Sequence, residues 1–324
     1  MKAVVVDRLS DDLSGVEYQE IQEPEPKPSD LIVRVRAASL NYPDLLMTRG
    51  AYQFKPAVPF IAGMEMAGEI VEAPPDCGFI KGDRVMGGAK TGAFAERIAL
   101  DPSAVRRIPE GLNFAEAAAF GVAYHTAYVA LFELGQLKAG QTVLIHGASG
   151  GVGLAACDLA KALGATVIAT THSSDKLETL AALSEADHAM KNTGRFREKI
   201  ARLTDDRLCD LVFDPVGGDV FDESTRCVAF GGKILVVGFV AGRIPTISVN
   251  IPLIKGFSIV GVRAGEYARR FPERAVEIAR ALDRLVENGA IRPHVHRVLP
   301  IAEWRNAFDE MAAGDLFGKI VLEP

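Results

Sequence analysis

Two rhythms of apolar and polar residues divide the chain. Over the first ~120 residues the pattern is that of short strands. Ala3–Val6 is an apolar run, Leu31–Ala37 alternates, and Gly68–Val71 runs into the turn-forming Pro74-Pro75-Asp76. Lys81-Gly82-Asp83 sets a tight turn before another strand at Arg84. A helix is expected from Tyr42, with Leu45, Leu46 and Met47 and no breaker until Gly50. From Val122 the rhythm changes. Helices are expected at Tyr124–Leu134, Gly153–Leu163 and Ser174–Leu183, and strands at Thr142–His146, Thr166–Thr170, Asp210–Phe213 and Lys233–Val237. Such alternation predicts a parallel sheet covered on both faces, an α/β fold. From Ser258 the pattern is mixed again. Glu273–Asn288 is an amphipathic helix with Ile278, Leu282 and Leu285 on one face, stopped by Gly289. Trp304, Ala307, Phe308 and Met311 recur at helical spacing up to Gly314, a stripe read as core.

The length, 324 residues, favours two domains. A net charge of −6 argues against nucleic acid as a partner, since phosphate binding needs concentrated Lys and Arg. The N-terminus reads as a strand rather than a signal peptide, and no apolar stretch is expected to approach the ~20 residues of a membrane span. The four cysteines are scattered and form no Cys-x-x-Cys pair, so a reducing cytoplasm is the expected location.

The segment that carries chemistry is His146-Gly147-Ala148-Ser149-Gly150-Gly151-Val152-Gly153, after a strand and opening a helix. Small residues there let a backbone approach a pyrophosphate, and the free N–H groups of a helix start hold its charge. Ser149, Gly150, Gly151 and Val152 are therefore candidate dinucleotide contacts. At the end of the next strand an NAD site usually has an acid, and this chain has Thr171. Ser173 and Ser174 can donate to a 2′-phosphate and Lys176 can neutralise it, whereas Asp175 falls in the first helical turn. The expected cofactor is NADPH.

Asn41-Tyr42-Pro43-Asp44-Leu45, Arg49-Gly50-Ala51-Tyr52, Ala62–Glu69, Thr126-Ala127-Tyr128, the Gly147–Gly153 turn, Asp214-Pro215-Val216-Gly217-Gly218 and Gly318–Leu322 together resemble the medium-chain dehydrogenase/reductase superfamily. Within it they resemble the zinc-free quinone oxidoreductases of the zeta-crystallin type. The resemblance implies a doubly wound Rossmann domain over 122–258 inserted in a β-rich, GroES-like catalytic domain. The latter would be built from 1–121 and 259–324 around a cleft facing the glycine turn. It also implies a homodimer joined through nucleotide-domain sheet edges, near Lys233–Phe239 and Phe257–Val262.

Zinc members of the superfamily have Cys, His and Cys where this chain has Asn41, Met64 and Val122, and the cysteine lobe of a structural zinc is missing, so no metal is expected. His294 and His296 lack further ligands. Without a Lewis acid the chemistry shifts to acceptors already activated by conjugation, quinones or enones. The resemblance places Asn41 and Tyr52 in the site, contacting cofactor or acceptor. Asp44 would orient Asn41 and its helix, and Thr126, Gly238 and Phe239 would line the nicotinamide end. Glu65 would orient the backbone there, Lys319 would reach the cofactor phosphates, and Asn192, where relatives often have Tyr, would be a further NADP contact. Two alternatives stay open. One is an enoyl-thioester or enone reductase, for which Arg263, Arg269 and Arg270 are scattered candidates for a basic channel. The other is an NADPH-binding protein with a structural or regulatory role.

Overall fold

The computed structural model describes residues 1–324, and the chain divides into two compact units, Met1–Val122 with Pro293–Pro324, and Ala123–Arg292. The first unit begins with strands β1 (Lys2–Val6), β2 (Val16–Glu20) and β3 (Leu31–Ser39), the helix α1 (Tyr42–Thr48), and strands β4 (Phe60–Ile61), β5 (Glu65–Glu72), β6 (Arg84–Gly88), β7 (Arg97–Leu100) and β8 (Val105–Arg107). Helix α2 (Phe114–Tyr128) carries the chain out of this unit and continues as a π-helical stretch, Val129–Leu134.

The second unit holds β9 (Thr142–Ile145), α3 (Gly151–Leu163), β10 (Thr166–Thr171), α4 (Asp175–Leu183), β11 (His188–Lys191), α5 (Arg197–Leu203), β12 (Cys209–Asp214), α6 (Gly218–Ser224), β13 (Val228–Val236), α7 (Asn250–Lys255), β14 (Ser258–Gly261), α8 (Ala264–Arg270) and α9 (Pro272–Glu287). The chain then returns to the first unit with β15 (Val295–Pro300), α10 (Trp304–Ala313) and β16 (Lys319–Glu323).

In the first unit, alternation places Val33, Val35 and Ile70 inward, with Trp304 and Phe308 of α10 in the same core. Its larger sheet runs β15-β16-β3-β5-β6-β8, with β7 beside β3, and a smaller antiparallel sheet runs β2-β1-β4. The last strand is central to this arrangement: β16 pairs antiparallel with β3 through Val321 opposite Ser39 and Leu322 opposite Ala38. The C-terminal strands thus join the sheet that β3 begins.

The second unit is one parallel sheet in the order β11-β10-β9-β12-β13-β14. Numbered from β9, that is 3-2-1-4-5-6, the doubly wound order, in which the direction of winding reverses beside the first strand and ligands bind outside the carboxyl ends of the strands. Val143, Leu144, Ile145, Val167, Ile168 and Val212 are fully buried, as strands covered on both faces require.

Three expectations need correction. The helix expected at Tyr124–Leu134 begins ten residues earlier, at Phe114. The continuous helical run Phe114–Leu134 is long and apolar enough to cross a bilayer by length and composition, contrary to the expectation that no such stretch exists. More than half of it is buried within the protein, as in a core helix. The second boundary between the units lies at Pro293 rather than near residue 259. Parallel pairing of β14 with β13, and packing of α9 on α8 and of α8 on the π-helical stretch, hold this segment to the second unit.

Candidate active site

In the first unit a knot of polar side chains lies in an otherwise apolar interior. Pro43 at the second position of α1 fixes the entry to the helix, and Asn41 precedes it as N-cap in extended backbone. Asp44 Oδ2 accepts the Asn41 backbone N–H at 2.8 Å, and its other oxygen is buried with no partner. Burial pushes the Asp44 carboxyl up to about 7, against the opposing pull of the Asn41 backbone N–H and Lys319. Asn41 donates one amide hydrogen to Ser39 O at 3.2 Å and the other to Glu65 Oε1 at 2.9 Å. Its Oδ1 accepts from Lys319 Nζ at 2.6 Å.

Lys319 departs most from expectation. Its side chain is 7% exposed, and its ammonium donates to Leu40 O at 2.8 Å, Asn41 Oδ1 at 2.6 Å and Glu65 Oε1 at 3.1 Å. All three of its protons are therefore used inside the unit, and the role of reaching cofactor phosphates is withdrawn. Asn41 changes too: both amide hydrogens are taken, so it has none left to donate to an acceptor. Glu65 completes the knot, its Oε2 accepting the backbone N–H of Val122 at 2.8 Å, at the point where the chain leaves the unit. Tyr52 is half-buried against the core of this unit.

In the second unit the carboxyl ends of β9, β10 and β11 lie side by side. After β9 the chain turns through Gly147, at φ +57°, into α3. A Cβ on Gly153 would lie 2.2 Å from Gly147 O, so only glycine allows this approach of helix to turn. The amides of Gly151, Val152 and Gly153 open the first turn of α3, where backbone N–H groups have no intrahelical acceptor and suit an anion. Ser149 is buried at the turn. His146, just before it, is sealed between Thr170 Oγ1 and Ser224 Oγ, both at 2.8 Å, and burial pushes its imidazole down to about 3, so it is neutral.

Beyond β10, Thr171 is buried, its hydroxyl accepting Ser173 N–H at 3.3 Å, and Ser174 precedes α4 with Lys176 half-buried in the first turn. Sequence reasoning missed Lys191: parallel pairing sets it opposite Thr171, and its ammonium donates to Ser174 Oγ at 2.7 Å. Asn192 follows it, 6% exposed, with Oδ1 lacking any partner. Thr126 is half-buried on α2. Gly238 and Phe239 lie just past β13, where the Phe239 ring closes over Gly217. His294 packs edge-on against Phe317 and His296 pairs with Glu310 at 2.8 Å, so these two histidines are engaged separately. No three His, Cys, Asp or Glu side chains stand together in a way that could hold a metal ion.

A doubly wound parallel sheet with a glycine turn at its reversal point, inserted into a β-unit made of both chain ends, defines a medium-chain dehydrogenase/reductase. The alcohol dehydrogenase GroES-like domain family matches residues 27–110, and the zinc-binding dehydrogenase family matches residues 151–281. The chain is 35% identical over 301 residues to the quinone oxidoreductase-like protein 2 homolog of Nematostella vectensis, covering 91% of this chain and 81% of that one. It is similar to the structure of a probable oxidoreductase from Mycobacterium abscessus (36% identity, TM-score 0.90, covering 100% and 99% of the two chains). It is also similar to the quinone oxidoreductase of Thermus thermophilus, solved alone and with NADPH (32% identity, TM-score 0.84, covering 100% of both). The chain belongs to the medium-chain dehydrogenase/reductase family, in its quinone oxidoreductase-like branch.

Proposed function

We propose that this chain is an NADPH-dependent oxidoreductase that reduces quinones or other conjugated carbonyls without zinc. The observation that carries the reading is the row of strand ends in the second unit. A glycine turn that admits backbone to a pyrophosphate adjoins a serine- and lysine-bearing strand end with no acid at its tip. The quinone oxidoreductase of Thermus thermophilus, with its NADPH complex, supports the same assignment.

NADPH fits the residues present. Ser149, Gly150, Gly151 and Val152 would hold the pyrophosphate on amide hydrogens. Ser173 and Lys176, with Lys191 behind Ser174, would hold the 2′-phosphate. Asn192 would use its unpartnered oxygen on a donor of the cofactor. Thr126, Gly238 and Phe239 would bound the nicotinamide. When bound, the nucleotide supplies the hydride. The protein's part is to fix geometry and donate a hydrogen bond to the acceptor oxygen, and Tyr52 is the proposed donor. Asn41 offers only an acceptor lone pair and acts by shape. Asp44 and Glu65 hold Asn41, and Lys319 neutralises Glu65.

Zinc does not fit. The superfamily's ligand positions hold an amide, a thioether and an alkyl group, and the amide already bonds an ammonium ion, which would repel a second cation. The chain is proposed to work in the cytoplasm, away from membranes, as a homodimer. Strand β14 is a sheet edge, and beside it Val249, Leu253, Ile254 and Phe230 are each more than three-quarters exposed, an apolar surface of the sort a second copy covers. Interior β13 is excluded as an edge.

The test is steady-state oxidation of NADPH and NADH with a panel of quinones and enones, with and without a chelator. Turnover that prefers NADPH and survives chelation is expected. Tight NADPH binding with no turnover on any acceptor would favour a non-catalytic role instead.

A further inference from the structure

The segment Asp214-Pro215-Val216-Gly217-Gly218 lies where the parallel sheet reverses its winding. Asp214 is the last residue of β12, which pairs with β9 on one side and β13 on the other. Phe213 O accepts the His146 N–H at 3.0 Å, so Asp214 stands level with the start of the glycine turn. Ligands of a doubly wound sheet bind at this crevice.

The carboxyl of Asp214 is fully buried and turned to the chain that follows it. Oδ1 accepts the N–H of Val216 at 2.8 Å and of Gly217 at 2.9 Å, which sets the turn between β12 and α6. Oδ2 is buried with no partner. Burial holds the carboxyl above its ordinary range, against the pull of the two amides, and no lysine or arginine offsets it. His146 on the adjacent strand spends both ring nitrogens on Thr170 and Ser224. A buried oxygen left unsatisfied costs stability, so packing alone is a poor reason for an acid at this position.

The turn that Asp214 sets touches two parts of the nucleotide edge. On one side, a Cβ on Gly147 would lie 3.2 Å from Pro215 Cγ and 3.5 Å from Val216 Cγ2, so these side chains back the glycine turn. On the other, Pro215 O and Val216 O accept the N–H groups of Val240 at 3.1 Å and Ala241 at 3.0 Å. A Cβ on Gly217 would lie 2.9 Å from Phe239 Cδ1, and Gly217, at φ +71°, takes a backbone that favours glycine. Residues 215–217 are thus a spacer wedged between the turn after β9 and the segment after β13, with the Asp214 carboxyl as its anchor.

We propose that Asp214 is a positioning residue: its carboxyl fixes the Pro215–Gly217 spacer, and through it the separation between the pyrophosphate turn at Gly147 and the nicotinamide wall at Gly238 and Phe239. This rests on the NADPH reading. Pyrophosphate and nicotinamide belong to one molecule, so their two supports must stand a fixed distance apart for the ring to be held in reacting geometry.

The experiment separates a cofactor that spans the edge from a fragment that does not. Asp214→Ala removes both bonds to the spacer, and Asp214→Asn keeps an oxygen to accept them. Each variant and the unaltered chain are titrated calorimetrically with NADP⁺ and with adenosine 2′-monophosphate, which reaches only the β10 end, and melting by circular dichroism records folding. Asp214→Ala should bind NADP⁺ about tenfold more weakly, as the loss of one such bond supplies, and adenosine 2′-monophosphate as before. Asp214→Asn should restore NADP⁺ binding, and kcat with 1,4-naphthoquinone should follow the same order. Equal losses for the two nucleotides in Asp214→Ala would make the role one of folding alone and overturn the proposal. So would unchanged NADP⁺ affinity in that variant, or an Asp214→Asn variant as impaired as Asp214→Ala. Should Asp214→Ala not fold, Pro215→Ala loosens the spacer on its Gly147 side and keeps the carboxyl; it should show the same split between nucleotides, and equal losses there overturn the proposal too. An unaltered chain that binds neither nucleotide would instead strike the NADPH reading itself, and the proposal with it.

Discussion

Replacing Lys319 with Met tests the polar knot in the first unit most directly. Methionine keeps the length and apolar stem of the side chain and removes only the ammonium. Three hydrogen bonds go with it, to Leu40 O, Asn41 Oδ1 and Glu65 Oε1. Glu65, 6% exposed, is left as a buried carboxylate with two neutral donors, Asn41 Nδ2 and Val122 N–H. Breaking one partner of a buried ion pair costs about 3–5 kcal/mol, because the remaining charge stays desolvated. With urea m-values of ~1–3 kcal/mol/M, the midpoint should fall by about 1 M or more. The chain's single tryptophan makes the measurement specific: Trp304 is buried in the core of this unit, so its fluorescence reports the unfolding of this unit. Glu65→Gln combined with Lys319→Met removes the stranded charge and should recover part of the loss. A single-variant loss below about 1 kcal/mol, the range of an exposed pair, would refute the argument. A double variant no more stable than the single would do the same.

Lys176→Ala should weaken NADPH binding about tenfold, the worth of one charge-assisted contact, and leave NADH binding nearly unchanged, read by fluorescence titration. Equal losses would rule out a 2′-phosphate role. Gly153→Ala should abolish nucleotide binding or the fold of the second unit, since the added carbon lies 2.2 Å from a backbone oxygen, and circular dichroism separates the two outcomes. His146 titrates near 3 in the folded protein against 6.5 ordinarily, so between those values the unfolded chain binds the extra proton. Its contribution to stability is complete above about 6.5 and is lost as pH falls, by up to ~1.4 kcal/mol per pH unit. His146→Gln should flatten the fall in urea midpoint between pH 7 and pH 5, and an unaltered slope would count against this assignment.

What the sequence made legible was what depends on neighbours. The strand-turn-helix at Thr142–Leu163 and the strand and helix after it announce themselves through runs of apolar residues and glycine placement, and the structure follows them within a residue or two. The start of α2 is not legible because Phe114–Ala123, apart from Glu116, is apolar all round and shows no stripe. Lys319 was misjudged because the partners that bury it, Glu65 and Asn41, stand 254 and 278 residues earlier in the chain. A lysine at the start of a strand looks solvated until a distant carboxylate is brought to it. Lys191 was missed for the same reason, since its tie to Ser174 exists only through the pairing of β10 with β11. Arg263, Arg269 and Arg270 stand three and four residues from Glu266, so once α8 is placed their pairing with it follows from helical spacing alone.

The position of Lys319 has a consequence for biosynthesis. The strand that supplies it follows the whole second unit in the chain, and until it leaves the ribosome the first unit lacks β16, the Ala38–Ser39 end of β3 lacks its partner strand, and Glu65 has no counter-ion. The second unit, by contrast, is complete on emergence of Arg292. The strands of the first unit that precede the second must therefore wait, unsealed, while that whole later unit is translated and folds, and a ribosome that stops just short of β16 releases a chain whose first unit cannot close.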